Sequence, residues 1–121
     1  MIEVVDLGQK FEQIHEHWLP HVVGNVNDCA VKFAKIQGEF TWHRHEHEDE
    51  LFFVFKGQLK IELRDQVLSV GPNQLVVIPK GVEHRPVAEE EVWIMLFEPS
   101  TTLNTGDADD SELTHRQLPS L

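Results

Sequence analysis

The chain has 121 residues and a formal net charge of -11, from 10 Lys and Arg against 21 Asp and Glu. This length predicts one domain with a single core, and the acidic balance argues against nucleic acid and anionic membranes as partners, since both demand clustered basic residues. Because no apolar run approaches twenty residues, the N-terminus shows no export pattern and Cys29 is alone, we expect a cytoplasmic protein without internal disulfides.

The first predicted element is a short helix over residues 10–19. Phe11, Ile14 and Trp18 lie at i, i+3 and i+7, on one helical stripe, and Pro20 ends the pattern. We expect this helix to pack across the following strands as a flap. Three histidines lie near its end: His15, His17 and His21. Pro20 breaks the geometry between them, so we interpret them as surface residues rather than metal ligands.

From residue 21 onward the apolar pattern alternates with a period of two, which is typical of β-strands. The predicted strands cover residues 21–24, 29–37, 39–45, 50–56, 59–64, 67–70, 74–78, 83–88 and 91–98. They are joined by turns rich in Gly, Pro, Asn and Asp. Many short strands at close spacing indicate a sandwich or a closed barrel.

Two of the predicted strands, residues 50–56 and 91–98, are apolar on both faces. A strand of this kind needs a second layer of structure over its outer face. A second sheet, the N-terminal helix or a partner subunit could supply that layer. Because exposed aromatic patches usually mark interfaces, we predict a homodimer.

The last segment of the chain is polar and acidic. Its composition is typical of a flexible tail, although its few leucines would allow it to dock on its own barrel or on a partner. We therefore assign residues 1–98, including the helix, to one domain and residues 99–121 to a polar C-terminal tail.

Four residues form a candidate metal-ligand set: His43, His45, Glu50 and His84. Alternate side chains of a strand share a face, so the imidazoles of His43 and His45 can chelate one ion. Glu50 begins the next predicted strand and can return its carboxylate to the same face. Three nitrogens and one oxygen suit one divalent transition ion, such as Mn, Fe, Ni, Cu or Zn, better than Ca or Mg.

Two other interpretations of this region have to be weighed. Eight histidines in 121 residues produce a His-x-His pair by chance fairly easily, and an acidic, His-rich segment is often a solvated turn. A shifted register would use His45 and His47 instead. In that register Glu50 follows after only two residues, so we interpret His47 as a turn residue.

Glycines and a proline frame the four candidate ligands at defined spacings. In chain order the frame is Gly38, His43-x-His45, Glu50, Gly57, Gly71, Pro79-x-Gly81 and His84. It resembles the two signature motifs of the cupin superfamily. The sequence departs from those motifs in two places, since four rather than five residues separate Gly38 from His43, and Ala88 stands where the second motif usually ends in Asn. Neither position is a metal ligand in the family pattern.

The resemblance extends over nearly the whole chain. The segments that carry it are residues 42–45, 49–52, 54–57, 79–88, 97–99 and 103–107, and they are similar to a group of small bacterial single-domain cupins labelled mannose-6-phosphate isomerase-like. The resemblance implies an all-β fold, the cupin double-stranded β-helix or jelly-roll barrel, here with a short N-terminal helix. It implies a metal held by His43, His45, Glu50 and His84. It does not by itself fix the activity.

The residues predicted to line the pocket are mostly apolar: Thr41, Phe52, Val54, Ile61, Val76, Ile78 and Ile94 or Met95. A sugar-phosphate isomerase needs a cationic clamp for the phosphate, and we assign no Lys or Arg to the inner face. Three hypotheses therefore stay open: a metal-dependent oxygenase, a metal-bound module that binds or senses a small molecule without turnover, and a barrel whose metal serves only stability. Beyond Glu50, the pattern indicates no catalytic acid or base.

Overall fold

The computed structural model describes residues 2–121, which form one short helix and seven strands. In chain order these are α1 (Leu7–Glu12), β1 (His21–Val26), β2 (Cys29–Glu39), β3 (Glu50–Lys56), β4 (Leu59–Leu63), β5 (Val67–Val70), β6 (Leu75–Ile78) and β7 (His84–Pro99). All strand pairs are antiparallel. The predicted all-β jelly-roll barrel with a short N-terminal helix is confirmed.

The last strand, β7, connects the parts of the barrel. The sheet runs in the order β1-β2-β7-β3-β6, and the β4–β5 hairpin joins it through the pairing of β4 with the start of β7. The prediction of two strands, over 83–88 and 91–98, was wrong because one continuous strand covers both. The intervening residues, Glu89 and Glu90, include no Gly, Pro or Asn that would turn the chain.

The strand predicted over residues 39–45 is also a correction. Strand β2 continues to Glu39, and residues 40–49 form an irregular loop, which we call the ligand loop. The change begins at Gly38, which has a φ of +90° and lies beside a register shift that follows Ile36. In the loop only His43 keeps a strand-like pairing, through backbone bonds with His84. The alternation of faces nevertheless survives, since His43 and His45 are buried and Arg44 is exposed.

The barrel interior is filled by the inward residues of the alternating strands. They include Ala34, Ile36, Phe52, Val54, Leu59, Ile61, Val70, Ile78, Ala88, Val92, Ile94 and Leu96. A period-two burial pattern runs through β3 and the second half of β7, as their sequences predict.

The helix predicted over residues 10–19 was wrong in its bounds, because α1 spans Leu7–Glu12. The Asp6 side chain caps it by accepting a hydrogen bond from the Gln9 amide at 3.0 Å. The apolar spacing indicated which residues are buried but not how far the helix extends. Phe11 and Ile14 are buried, but Trp18 has a φ of +64° and lies outside the helix. In the described part of the chain, no helix is long and apolar enough to cross a membrane.

Helix α1 covers part of the outer face of the main sheet. The Phe11 ring stacks on Phe33 and on Trp93, with centroid distances of 4.9 and 4.8 Å, and meets Phe55 edge-on. Ile14 belongs to the same cluster. The helix is therefore one source of the second layer that the two-sided apolar strands require.

Residues 99–121 dock on their own barrel, which is one of the two arrangements expected for the tail, rather than forming the flexible tail typical of their composition. Near the chain end, the Val22 amide donates to the Pro119 carbonyl and the Leu121 amide donates to the Val22 carbonyl, both at 2.9 Å. Nearer the barrel, Thr102 and Thr105 are buried. Backbone pairing and buried threonines order a segment whose composition alone is typical of disorder.

Candidate metal centre

Three separate segments bring the four predicted residues together at one end of the barrel. His43 and His45 come from the ligand loop, Glu50 begins β3 and His84 begins β7. All four are buried, and one ligand atom from each lies within 4.8 Å of the others. A buried cluster of this size suits a single metal ion.

Backbone hydrogen bonds hold the three segments in place. The His43 amide donates to the His84 carbonyl at 3.0 Å, and the His84 amide donates back to the His43 carbonyl at 2.8 Å. The Gly81 amide donates to the His45 carbonyl at 2.8 Å. Gly81 has a φ of +83°, a backbone conformation that residues other than glycine rarely adopt, so this turn requires glycine. Main-chain hydrogen bonds thus fix the positions of the ligand residues.

Two of the imidazoles are oriented by carbonyl groups on their own segments. His43 Nδ1 lies 2.9 Å from the Thr41 carbonyl oxygen, and His84 Nδ1 lies 2.9 Å from that of Val82. A carbonyl oxygen only accepts, so both rings donate through Nδ1. Each neutral ring then presents an unprotonated Nε2, the tautomer that a metal ligand needs.

The contacts inside the cluster leave lone pairs facing one another. Glu50 Oε1 lies 3.2 Å from His84 Nε2 and 3.5 Å from His45 Nε2. Two acceptor atoms at such a distance need a cation between them, either a proton or a metal ion. Among the described residues, neither ring nitrogen of His45 has a hydrogen-bond partner. Buried polar atoms are rarely left without one, so these orphaned nitrogens fit a bound metal.

The electrostatics of the cluster favour its metal-binding protonation states. Burial, reinforced by repulsion from His84, lowers the pKa of His43 from 6.5 to about 4. Burial opposes ionisation of Glu50, but the adjacent imidazoles of His45 and His84 outweigh it and hold the pKa of Glu50 below its ordinary value. Near neutral pH the cluster therefore contains a neutral His43 and an ionised Glu50.

The C-terminal segment closes over the ligand loop. The Arg44 amide donates to Asp107 Oδ1 at 2.8 Å, and the Asp107 amide donates back to the Arg44 carbonyl at 3.1 Å. Gly106 has a φ of +53°, and a Cβ placed there would collide with the Arg44 carbonyl and lie 3.1 Å from His43 Cδ2. This close approach explains the glycine at position 106.

A small cavity of about 40 Å³ lies beside the cluster, and it reaches His43 and Glu50. Its remaining walls are Trp18, Pro20, Ala34, Ile36, Phe40, Phe52, Pro86, Ile94, Leu96 and Asn104. None of these lining residues is Lys or Arg. Of the predicted lining residues, Phe52 and Ile94 line it, whereas Val54, Ile61 and Ile78 are packed in the core and Met95 faces the outer cluster near α1.

The other histidines lie outside the cluster. His47 is exposed, as its interpretation as a turn residue predicts. His15 and His17 are exposed, and His17 Nε2 lies 2.8 Å from the Glu91 carboxylate. The prediction of a surface position was wrong for His21, which is buried where its Nδ1 bonds the Leu19 carbonyl at 2.8 Å.

Sequence reasoning missed one buried ion pair in the barrel. Lys32 Nζ lies 3.0 Å from Glu98 Oε1, and their side chains are 3% and 1% exposed. The alternation of side chains along the strands could have shown that both residues point into the barrel. Lys32 lies two residues from the inward Ala34, and Glu98 lies two residues from the inward Leu96.

Comparisons with known proteins agree with this geometry. A family model described as a cupin domain matches residues 30–98. The uncharacterized protein YdbB of Bacillus subtilis (strain 168) is 42% identical over 64 residues, which are 52% of this chain and 57% of that protein, so the match spans little more than half of the curated relative.

Two solved structures are similar over most of their length. A cupin-2 domain containing protein from Shewanella frigidimarina has a TM-score of 0.78 and 45% identity, covering 79% of this chain and 94% of its own. Protein NMB1881 from Neisseria meningitidis has a TM-score of 0.74 and 28% identity, covering 81% of this chain and 100% of its own.

Proposed function

The chain belongs to the cupin family, and on that basis we propose that it binds one divalent transition ion and acts on a small organic molecule beside it. The proposed ligands are His43, His45, Glu50 and His84. The observation that carries the proposal is the convergence of four buried ligand atoms within 4.8 Å, next to an apolar cavity. Three nitrogens and one oxygen suit Fe, Mn, Ni, Zn or Cu.

The residues of the chain prepare the site for this chemistry. His43 and His84 are locked in one tautomer, and the apolar cavity walls limit access of water to the cluster. Held by His43, His45, Glu50 and His84, a metal ion would supply polarisation of a substrate oxygen or support oxidation by dioxygen. We infer dioxygenase-like chemistry, because an apolar wall suits a small aromatic or enol substrate.

The narrower isomerase-like reading is less well supported. A sugar phosphate requires a cationic partner, and no Lys or Arg of residues 2–121 lines the cavity. Arg44 is exposed and pairs with Glu46, while Arg85 pairs with Glu39 and Glu62. We therefore place sugar isomerisation behind oxygen chemistry.

A second candidate function is binding or sensing of a small molecule without turnover. The observation in its favour is the cavity wall itself, which offers no acid or base beyond the proposed ligands His43 and Glu50. Such a module would use the metal to anchor a ligand through an oxygen or nitrogen atom. The two candidates share one site and differ only in turnover.

Oxygen consumption separates the two candidates. The protein would be loaded with Fe²⁺ without oxygen, then exposed to oxygen with a panel of small aromatic and enol compounds. We expect oxygen uptake with at least one compound, loss of that uptake in His84→Ala, and retention in His115→Ala. Thermal stabilisation by a compound without oxygen uptake would instead support the binding module. A protein that shows neither oxygen uptake nor thermal stabilisation would contradict both candidate functions.

We also propose that the protein is a cytoplasmic homodimer, joined through an outer apolar patch. This patch consists of Leu51, Phe53, Leu75, Val77 and Phe97, which neighbour one another on β3, β6 and β7. Leu75 and Val77 are 57% and 48% exposed, and β6 is an edge strand of the main sheet. A two-fold dimer uses the same patch on both copies, so an uncharged patch is complementary to itself.

Light scattering during size-exclusion chromatography tests the dimer. We expect twice the chain mass for the wild type and the mass of one chain for Leu75→Asp, because a carboxylate would be buried without a partner. Val26→Asp is a matched control, since Val26 is 51% exposed on β1 at the other end of the sheet. A wild-type protein with the mass of one chain would refute the dimer.

A further inference from the structure

The buried Lys32 and Glu98 pair lies next to the proposed metal ligands, and barrel stability does not explain it. Removing two charges from water is costly, and an apolar pair of similar volume is often as stable as a buried ion pair or more stable. The pair lies among apolar neighbours such as Ala34 and Leu96. The pair is therefore expected to serve the neighbouring site.

Strand register brings the pair to Glu50. Leu51 pairs with Phe97 between β3 and β7, so one step along the same register sets Glu50 opposite Glu98. Residues directly opposite each other on one face of a sheet are in contact distance. On the other side of β7, Ala30 pairs with Glu98, and Lys32 is the diagonal neighbour. The three side chains thus form a row across β2, β7 and β3 inside the barrel.

Strand register brings this row to the metal cluster at Glu50. Lys32 donates to Glu98 Oε1, and the strand register places the Glu98 carboxyl beside the carboxyl of Glu50. Glu98 Oε2 is buried and has no hydrogen-bond partner among residues 2–121. The row therefore ends on Glu50, whose Oε1 faces His45 and His84.

We propose that Lys32 and Glu98 are positioning residues, which hold the Glu50 carboxylate in the orientation that the metal requires. This inference rests on the proposed metal site. Without the contact from Glu98, the Glu50 carboxylate could rotate away from His45 and His84. Groups that orient a metal ligand typically change metal affinity about 10- to 100-fold when they are removed.

Cobalt binding tests the proposal without any activity assay. Co²⁺ affinity would be measured by competition with a chelator, and the visible Co²⁺ spectrum would report ligand number and geometry. We expect E98L to bind Co²⁺ about 10- to 100-fold more weakly, with an altered spectrum. E98Q should stay close to the wild type, because its amide accepts from Lys32 and donates to Glu50. E91Q, on a partly exposed carboxylate that contacts His17 and Trp93, is the matched control.

The double variant K32M/E98L keeps the test decisive if E98L alone fails to fold, because it leaves no unpaired buried charge. We expect its metal-free melting temperature to equal or exceed that of the wild type, while its Co²⁺ affinity falls. Wild-type affinity and spectrum in the double variant would overturn the positioning role. A wild-type protein that binds no Co²⁺ would instead refute the metal site itself.

Discussion

Acidification of the metal-free protein should cost stability through His43. Its pKa lies near 4 in the folded state against 6.5 in the unfolded chain, because burial and His84 disfavour the charged ring. The folded state thus binds fewer protons, so the stability linked to this group is present above pH 6.5 and is lost as the pH falls toward 4. Integrating the two titrations from pH 7.5 to 4.5 gives a loss of about 2.5 kcal/mol.

Urea unfolding in a chelating buffer, at pH values from 7.5 to 4.5, measures this loss. His43→Gln removes the titrating ring, so its unfolding free energy should fall by about 2.5 kcal/mol less than that of the wild type over the same interval. The range ends at pH 4.5 because the stability contributed by ionised Glu50, whose pKa is lowered in the folded state, is also lost below that pH. His115→Gln, in the C-terminal segment, should retain the wild-type slope. Equal slopes for His43→Gln and the wild type would refute the proposed burial penalty.

Three further substitutions test how the fold supports the site. Gly106→Ala should lower the free energy of unfolding by about 1–3 kcal/mol and weaken metal binding, since its Cβ would push the C-terminal segment off Arg44; unchanged values would contradict that contact. Phe11→Ala should cost about 3–5 kcal/mol, by urea unfolding, without changing metal affinity, because Phe11 packs outside the barrel; a large affinity loss would couple α1 to the site. Asp6→Ala should cost about 1 kcal/mol by the same assay, and no loss would deny its role as the helix cap.

Much of the barrel could be predicted because alternation along a strand is a local property. The bounds of β3 and β5 match their predictions, and the frame of glycines around His43 and His84 located the cluster. Alternation wrongly predicted a strand over residues 39–45, where tertiary contacts determine the backbone conformation. The ligand loop keeps its alternate faces through two backbone bonds to His84, which lies far away in the sequence.

The missed features depend on contacts between distant segments. Composition predicts a loose tail, but the tail is ordered by main-chain pairing of Val22 with Pro119 and Leu121. Likewise, nothing local to Lys32 or Glu98 shows that they meet, since 66 positions separate them. Helix α1 begins earlier than predicted because Asp6 caps it, whereas the apolar spacing only marked the buried residues.

Metal content measured on protein purified without a histidine tag tests the central claim most directly. We predict close to one transition ion per chain in the wild type, loss of that ion in His45→Ala, and full retention in His47→Ala, whose histidine is exposed two residues away. This pair of variants separates a buried ligand from a neighbouring surface histidine. Full metal occupancy in His45→Ala, or no bound ion in the wild type, would contradict the account.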